Sequence, residues 1–218
     1  MTTQNILTIP DKRFDPHLLL PAVDILKAHG VVAYPTETVY GLGASMLSKS
    51  AVTRIHDIKH RQKNHPISLM VDSIQMALNL TNHVSIQARA LMNAYWPGPL
   101  TLVLAASANV PAYLRSVDNK IGIRFPAHGL STALVRLLGV AVTSTSANRT
   151  GMPPACSAAE VTATLDDDVD LIIDAGPNPA QAPSTVIDIS GERARLLRAG
   201  AISFEHIQIK LREFANAK

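Results

Sequence analysis

Short apolar runs of strand length alternate along the chain with longer segments whose apolar residues recur at helical spacing, and this alternation restricts the chain to a helix-and-strand fold. Residues 15–29 carry Leu18, Leu19, Leu20, Ala22, Val23, Ile25 and Leu26 on one amphipathic helix ended by Gly30. Val31-Val32-Ala33-Tyr34 follows as a buried strand stopped by Pro35. The same spacing predicts helices over residues 50–60, 85–95, 130–138, 157–165 and 204–215. It predicts strands over 67–71, 100–105, 121–125, 140–143, 169–173, 185–189 and 195–197. The result is a single α/β domain with a mixed sheet. Residues 176–183, rich in proline and without bulky apolar side chains, read as a mobile loop rather than a linker.

Composition narrows the function. The 218 residues suit one domain large enough to hold a dry, polar-lined cleft. Charged residues make up 17% and hydrophobic ones 47%, which excludes a disordered chain or a coiled coil. Four Phe, four Tyr and one Trp are too few for a surface that stacks exposed bases. The net charge of +3 suits an anionic ligand or occasional RNA contact, but falls short of a nucleic-acid footprint. The one cysteine, Cys156, permits neither an intramolecular disulfide nor a multi-cysteine zinc site. The N-terminus lacks the basic and apolar regions of a signal peptide, and no apolar run reaches the roughly 18 residues of a membrane span. A soluble cytoplasmic protein is expected.

Common catalytic signatures are missing: there is no GxxxxGK[ST] loop, GxGxxG turn, GxSxG elbow or HExxH pair. His56 and His60 share one helical face, but without a third ligand they read as two surface histidines. Four segments hold more polar groups than their positions require. Pro35-Thr36-Glu37-Thr38-Val39-Tyr40-Gly41-Leu42-Gly43 follows a buried strand, where glycines allow close approach of a ligand; an ordinary turn is the local alternative. Lys59, Arg61 and Lys63 place three cations at a helix C-terminus, either to clamp a polyphosphate or simply to meet the helix dipole. Thr143-Ser144-Thr145-Ser146-Ala147-Asn148 puts a row of hydroxyls after an apolar strand, to be satisfied by a ligand or by capping. Arg124 and Arg198 each end a β-prone run, and together they would make an anion site.

Taken in order, these segments resemble the YrdC/TsaC family of threonylcarbamoyl-AMP synthases. The resemblance opens on residues 35–43 and continues through Lys59-x-Arg61, Pro66-Ile67, Trp96-Pro97-Gly98-Pro99-Leu100-Thr101 and Arg124-x-Pro126. It ends with Ser144-Thr145-Ser146-Ala147-Asn148, Ser184-Thr185-Val186-Ile187-Asp188 and Arg198-x-Gly200. Gln62 stands where many members have proline. The chain is too short for the extra C-terminal domain of the longer members. The resemblance implies an N-terminal extension over 1–14, a catalytic domain over 15–202 and a C-terminal helix over 203–218 packed on it. It also implies a twisted sheet around a large basic cavity.

The implied reaction joins L-threonine, bicarbonate or CO2, and ATP into threonylcarbamoyl-AMP and pyrophosphate. A downstream transferase complex then uses the product to modify tRNA. By resemblance, Lys59 and Arg61 are the catalytic cations that neutralise the triphosphate, Ser146 and Asn148 donate or bridge to nucleotide oxygens, and Arg198 completes the ATP site. Arg124 pairs with the threonine carboxylate, while Thr36, Ser144 and Ser184 order the amino acid. Mg2+ accompanies ATP on phosphate oxygens and water, without a protein metal site. The loop over 176–183 would close the cavity. Two competing readings are a double-stranded RNA-binding protein and a carbamoyl-transfer domain like those of hydrogenase maturation proteins. The latter usually sit in longer, cysteine-rich chains.

Overall fold

The computed structural model describes residues 6–10, 14–62, 65–165, 168–177 and 182–216. Its strands are β1 (Ile6–Thr8), β2 (Val32–Tyr34), β3 (Gly41–Gly43), β4 (Ser68–Met70), β5 (Thr81–His83), β6 (Leu100–Ala106) and β7 (Lys120–Arg124), then β8 (Val142–Ser146), β9 (Leu171–Asp174), β10 (Thr185–Asp188) and β11 (Arg195–Arg198). The helices are α1 (Leu20–Lys27), α2 (Lys49–Ile58), α3 (Ile74–Asn79), α4 (Ile86–Tyr95), α5 (Gly129–Leu138), α6 (Ala158–Leu165) and α7 (Phe204–Asn216). Ser48, Ser73 and Ser85 begin α2, α3 and α4 by accepting the N–H of Ala51, Met76 and Ala88 on their hydroxyls. Gly139, at φ +77°, ends α5 in the left-handed conformation that glycine adopts without cost. Among the described residues no helix is long and apolar enough to cross a membrane.

The strands join in the order β1-β9-β2-β3-β8-β4-β7-β6-β10-β11, with β5 beside β6. Parallel pairs (β1/β9, β9/β2, β4/β7, β6/β10) mix with antiparallel ones, which makes the sheet of the expected mixed type. Side chains alternate across it. Val31 and Ala33 enter a core with Leu42, Ile55, Leu69, Leu91, Leu102, Ile123 and Ile207, covered by α2, α4 and α7. Val32 and Tyr34 enter a second core on the opposite face, where α1 and α5 bring Leu26 and Leu134 against Val142 and Ile173.

That second face changes character along the strands. Met70 and Val142 still lie in the apolar cluster, yet Ser68 and Ser144, two residues away on the same face, border a cavity. The hydroxyl row expected to follow a strand over 140–143 is instead the strand β8, paired with β3 and β4. Its inward Thr143 hydroxyl accepts the Ala44 N–H at 2.9 Å and reaches the Leu42 carbonyl at 3.3 Å, so the polar group is satisfied inside the sheet.

Four further elements lie outside the expected set. Ile6–Thr8, within the segment read as an extension, pairs with β9; α3 and β5 are both short. Gly41–Gly43 forms a strand rather than a turn. The Tyr34 ring lies across this strand, and a Cβ built on Gly41 or Gly43 would stand 2.8 Å from its atoms. Gly43→Ala is therefore expected to destabilise the fold by about 1–3 kcal/mol through overpacking. The check is a lower urea midpoint with an unchanged m-value.

Candidate active site

One cavity of about 410 Å³ opens on the polar half of the second face. Its floor is built by strand alternation: Lys120, Gly122 and Arg124 from β7, Thr101 and Val103 from β6, and Val186 and Asp188 from β10. The register sets Val103 beside both Gly122 and Asp188, with Arg195 across from Asp188, so one row crosses four strands. A register shift between Val186 and Ile187 sets three residues of β10, Val186–Asp188, against the four of β11, with Leu197 the extra one. As a result Arg195 and Arg198, three positions apart, border the same cavity. The walls are Thr36, Thr38 and Tyr40 from the segment between β2 and β3, Ser144 and Ser146 from β8, and Arg61 after α2.

Of the residues singled out in the sequence, Thr36, Arg61, Arg124, Ser144, Ser146, Ser184 and Arg198 line this cavity. Arg198 donates from Nε and Nη2 to the Ser184 carbonyl at 3.1 and 2.8 Å, and from Nη2 to the Ser184 hydroxyl at 2.9 Å. That hydroxyl also meets Thr101 at 2.9 Å. Arg124, only 5% exposed, directs Nε toward the Gly98 carbonyl at 3.4 Å. The Trp96–Thr101 motif holds that carbonyl in place: the Trp96–Pro97 peptide is cis, the Trp96 indole donates to the Leu100 carbonyl at 2.7 Å, and Gly98 N–H bonds Phe125 O at 2.8 Å.

Glu37 Oε1 stands 2.8 Å from Arg124 Nη2, an ion pair off the hydrogen-bonding direction. Both Glu37 oxygens and Arg124 Nη2 are left without a hydrogen bond among the described residues. Arg61 has no side-chain hydrogen bond or ion pair among those residues either. Burial pushes the guanidinium pKa of Arg61 and of Arg198 below its ordinary value, and for Arg198 the charges of Arg124 and Arg61 add to the effect.

Lys59 and Asn148 stand behind the wall rather than on it. The Lys59 ammonium donates to Ser146 O at 2.6 Å, Asn148 O at 2.8 Å and Asn148 Oδ1 at 2.8 Å. Burial, and then the charges of Arg61 and Arg198, lower its pKa to about 7. His56, expected at the surface with His60, is instead buried: it falls on the same face of α2 as Val52 and Ile55, which packs into the core. His60 lies just past that helix, after the C-cap Lys59, with its Nε2 3.0 Å from Arg149 Nη1. No group of three or more possible metal ligands exists among the described residues. In the loop over 176–183, residues 178–181 lie outside the described set; Gly176 O accepts the Tyr40 hydroxyl at 3.0 Å, and Pro183 borders the cavity.

Sequence reasoning missed the other end of the cavity. Asp188 accepts Lys120 at 3.0 Å and Arg195 at 3.2 Å on one oxygen, and Ser190 on the other. Burial raises its pKa, but the Ser190 hydroxyl and N–H and the Lys120 ammonium outweigh burial and hold the carboxyl at about 2. Its signal was the alternation itself, because Lys120-x-Gly122-x-Arg124 puts all three on one face. Glu37 was visible in the opening motif but was given no role.

Comparison with known proteins identifies the family. The model of the Sua5/YciO/YrdC family, described as telomere recombination, matches residues 24–200. The chain is 38% identical over 173 residues to the threonylcarbamoyl-AMP synthase of Chromobacterium violaceum, covering 79% of this chain and 88% of that one. It is 37% identical over 199 residues to the threonylcarbamoyl-AMP synthase of Bacillus subtilis, covering 89% of this chain and 56% of that protein. The crystal structure of P. abyssi Sua5 complexed with L-threonine superimposes with a TM-score of 0.89 at 33% identity, covering 94% of this chain and 60% of that chain. The chain thus spans a little over half the length of these two longer relatives. The family model over residues 24–200 and these relatives show that this chain belongs to the Sua5/YciO/YrdC family of threonylcarbamoyl-AMP synthases.

Proposed function

We propose that the chain is an L-threonylcarbamoyladenylate synthase that combines L-threonine, CO2 or bicarbonate, and ATP. The observation that carries this reading is three arginines, Arg61, Arg124 and Arg198, facing one hydroxyl-lined cavity, with Glu37 the one carboxylate paired to any of the three among the described residues. Such a cavity suits ligands that bring several negative charges. Arg124 takes the threonine carboxylate, because its Nη2 is buried and lacks a hydrogen bond. Thr36, Ser144 and Ser184 order the rest of the amino acid. Arg61 and Arg198 neutralise the triphosphate, and Ser146 bridges to nucleotide oxygens with Asn148 behind it.

The chemistry requires no dedicated base at the attacking atom. Threonine's amine adds to CO2 and loses a proton to give a carbamate, which is anionic near neutral pH. A carbamate oxygen forms a bond to the α-phosphorus as the bond to the β-phosphate bridging oxygen breaks, and pyrophosphate leaves. The protein's part is to hold two mutually repelling anions in line and to stabilise charge on the leaving group. Mg2+ would accompany the nucleotide, held mainly by phosphate oxygens and water. The reaction belongs in the cytoplasm, where a transferase complex passes the threonylcarbamoyl group to tRNA. Inward-facing arginines favour a small anion over an RNA duplex as the occupant.

Two outcomes follow. Pyrophosphate release from ATP, followed in a coupled assay, should require threonine and bicarbonate together; equal release without either would point to a simple nucleotidase. Calorimetry should separate the subsites. Arg61→Ala weakens ATP binding and Arg124→Ala weakens threonine binding, each by about 1.5–3 kcal/mol for a lost charge-assisted pair. The opposite ligand dependence would refute the assignment.

A further inference from the structure

We propose that Lys59 is a positioning residue: its ammonium fixes the turn from Ser146 to Asn148, and so aims the Ser146 hydroxyl, without contacting the nucleotide. An ammonium has three donors and no acceptor. All three of those on Lys59 are committed, to Ser146 O at 2.6 Å and to Asn148 O and Oδ1 at 2.8 Å each. Asn148 Oδ1 takes a second hydrogen bond, from the Ser146 hydroxyl at 2.7 Å, and the Asn148 amide nitrogen donates to Met152 O. These bonds settle which way the amide points and join Lys59 to Ser146 through one shared oxygen. The Lys59 backbone carbonyl also accepts the Thr150 N–H at 2.9 Å, so main chain and side chain grip the same segment.

The placement agrees with this role. Lys59 is 4% exposed, whereas Arg61, two residues on, borders the cavity. For the Lys59 ammonium to reach a phosphate it would have to leave carbonyls that are then buried without a donor, which is costly. Lys59 therefore acts on the reaction through Ser146, and Arg61 and Arg198 are left as the cations that meet the triphosphate.

The test has two arms. In the first, the wild-type chain is treated with acetic anhydride, with and without ATP, and modification at each lysine is read by mass spectrometry. Lys59 should stay unmodified in both states while exposed Lys27 reacts; modification of Lys59 in the free protein together with protection by ATP would overturn the proposal. In the second arm, Lys59→Met should lower kcat on the order of 10²-fold, the scale of one lost transition-state donor, with little change in KM for ATP. Adding Ser146→Ala should then cost little more, because both changes break the same unit. A raised KM for ATP with losses that multiply would instead place Lys59 on the nucleotide. Only the kinetic arm rests on the synthase reading. The labelling arm needs no turnover and no variant, so failure of the proposed reaction and failure of this inference are told apart.

Discussion

The Arg198 guanidinium and the Lys59 ammonium beside this cavity are held by carbonyl oxygens, not by carboxylates. Arg198 rests on Ser184 O and Lys59 on the carbonyls of Ser146 and Asn148, whereas Arg124 faces Glu37, and Lys120 and Arg195 share Asp188. A carboxylate would cancel the charge, whereas a carbonyl dipole replaces lost water and leaves the charge in place. Burying a cation costs several kcal/mol unless it is compensated, and like charges nearby add to that cost. The protein meets this demand with fixed dipoles and keeps a positive interior that an anionic ligand completes. Preorganised electrostatics of this kind needs no rearrangement when charge shifts toward a leaving group.

The sheet makes this arrangement possible. One of its faces is apolar across most of its width, so the strands remain anchored by Leu102, Ile123 and Ile187. The opposite face is closed by α1 and α5 around Tyr34 and Val142, then turns polar across β7, β6 and β10. Each strand near the cavity thus carries core residues on one side and chemistry on the other. Rigid strands position a site more tightly than loops do. The register shift in β11 adds a second arginine to the same wall without lengthening the strand elsewhere.

Much of this was legible in the sequence, and the exceptions have physical causes. The buried strand Val31–Tyr34 and the helices around Leu26, Ile55, Leu91 and Leu134 announce themselves by period, because hydrophobic burial alone decides them. Strands of three residues, such as Ile6–Thr8 and Gly41–Gly43, carry no period; pairing partners distant in the chain fix them. His56 was misread because a polar side chain on the inner face of α2 leaves no trace in a hydrophobic pattern. The residues of the site came from ordered motifs, but motifs do not distinguish a side chain that faces the cavity from one behind it. Lys59 and Arg61 look alike in sequence and have different environments in the fold. Asp188, Lys120 and Arg195 show the converse, since only register brings them together.

The central claim is that this cavity joins a carbamate oxygen of threonine to the α-phosphorus of ATP. The most direct measurement is to incubate the protein with threonine, ATP and carbon-13-labelled bicarbonate, and to analyse the nucleotide products by liquid chromatography and mass spectrometry. The account predicts an adenylate that contains threonine and one heavy carbon, formed together with pyrophosphate. An adenylate without the heavy carbon, or ADP and phosphate as the only nucleotide-derived products, would contradict it.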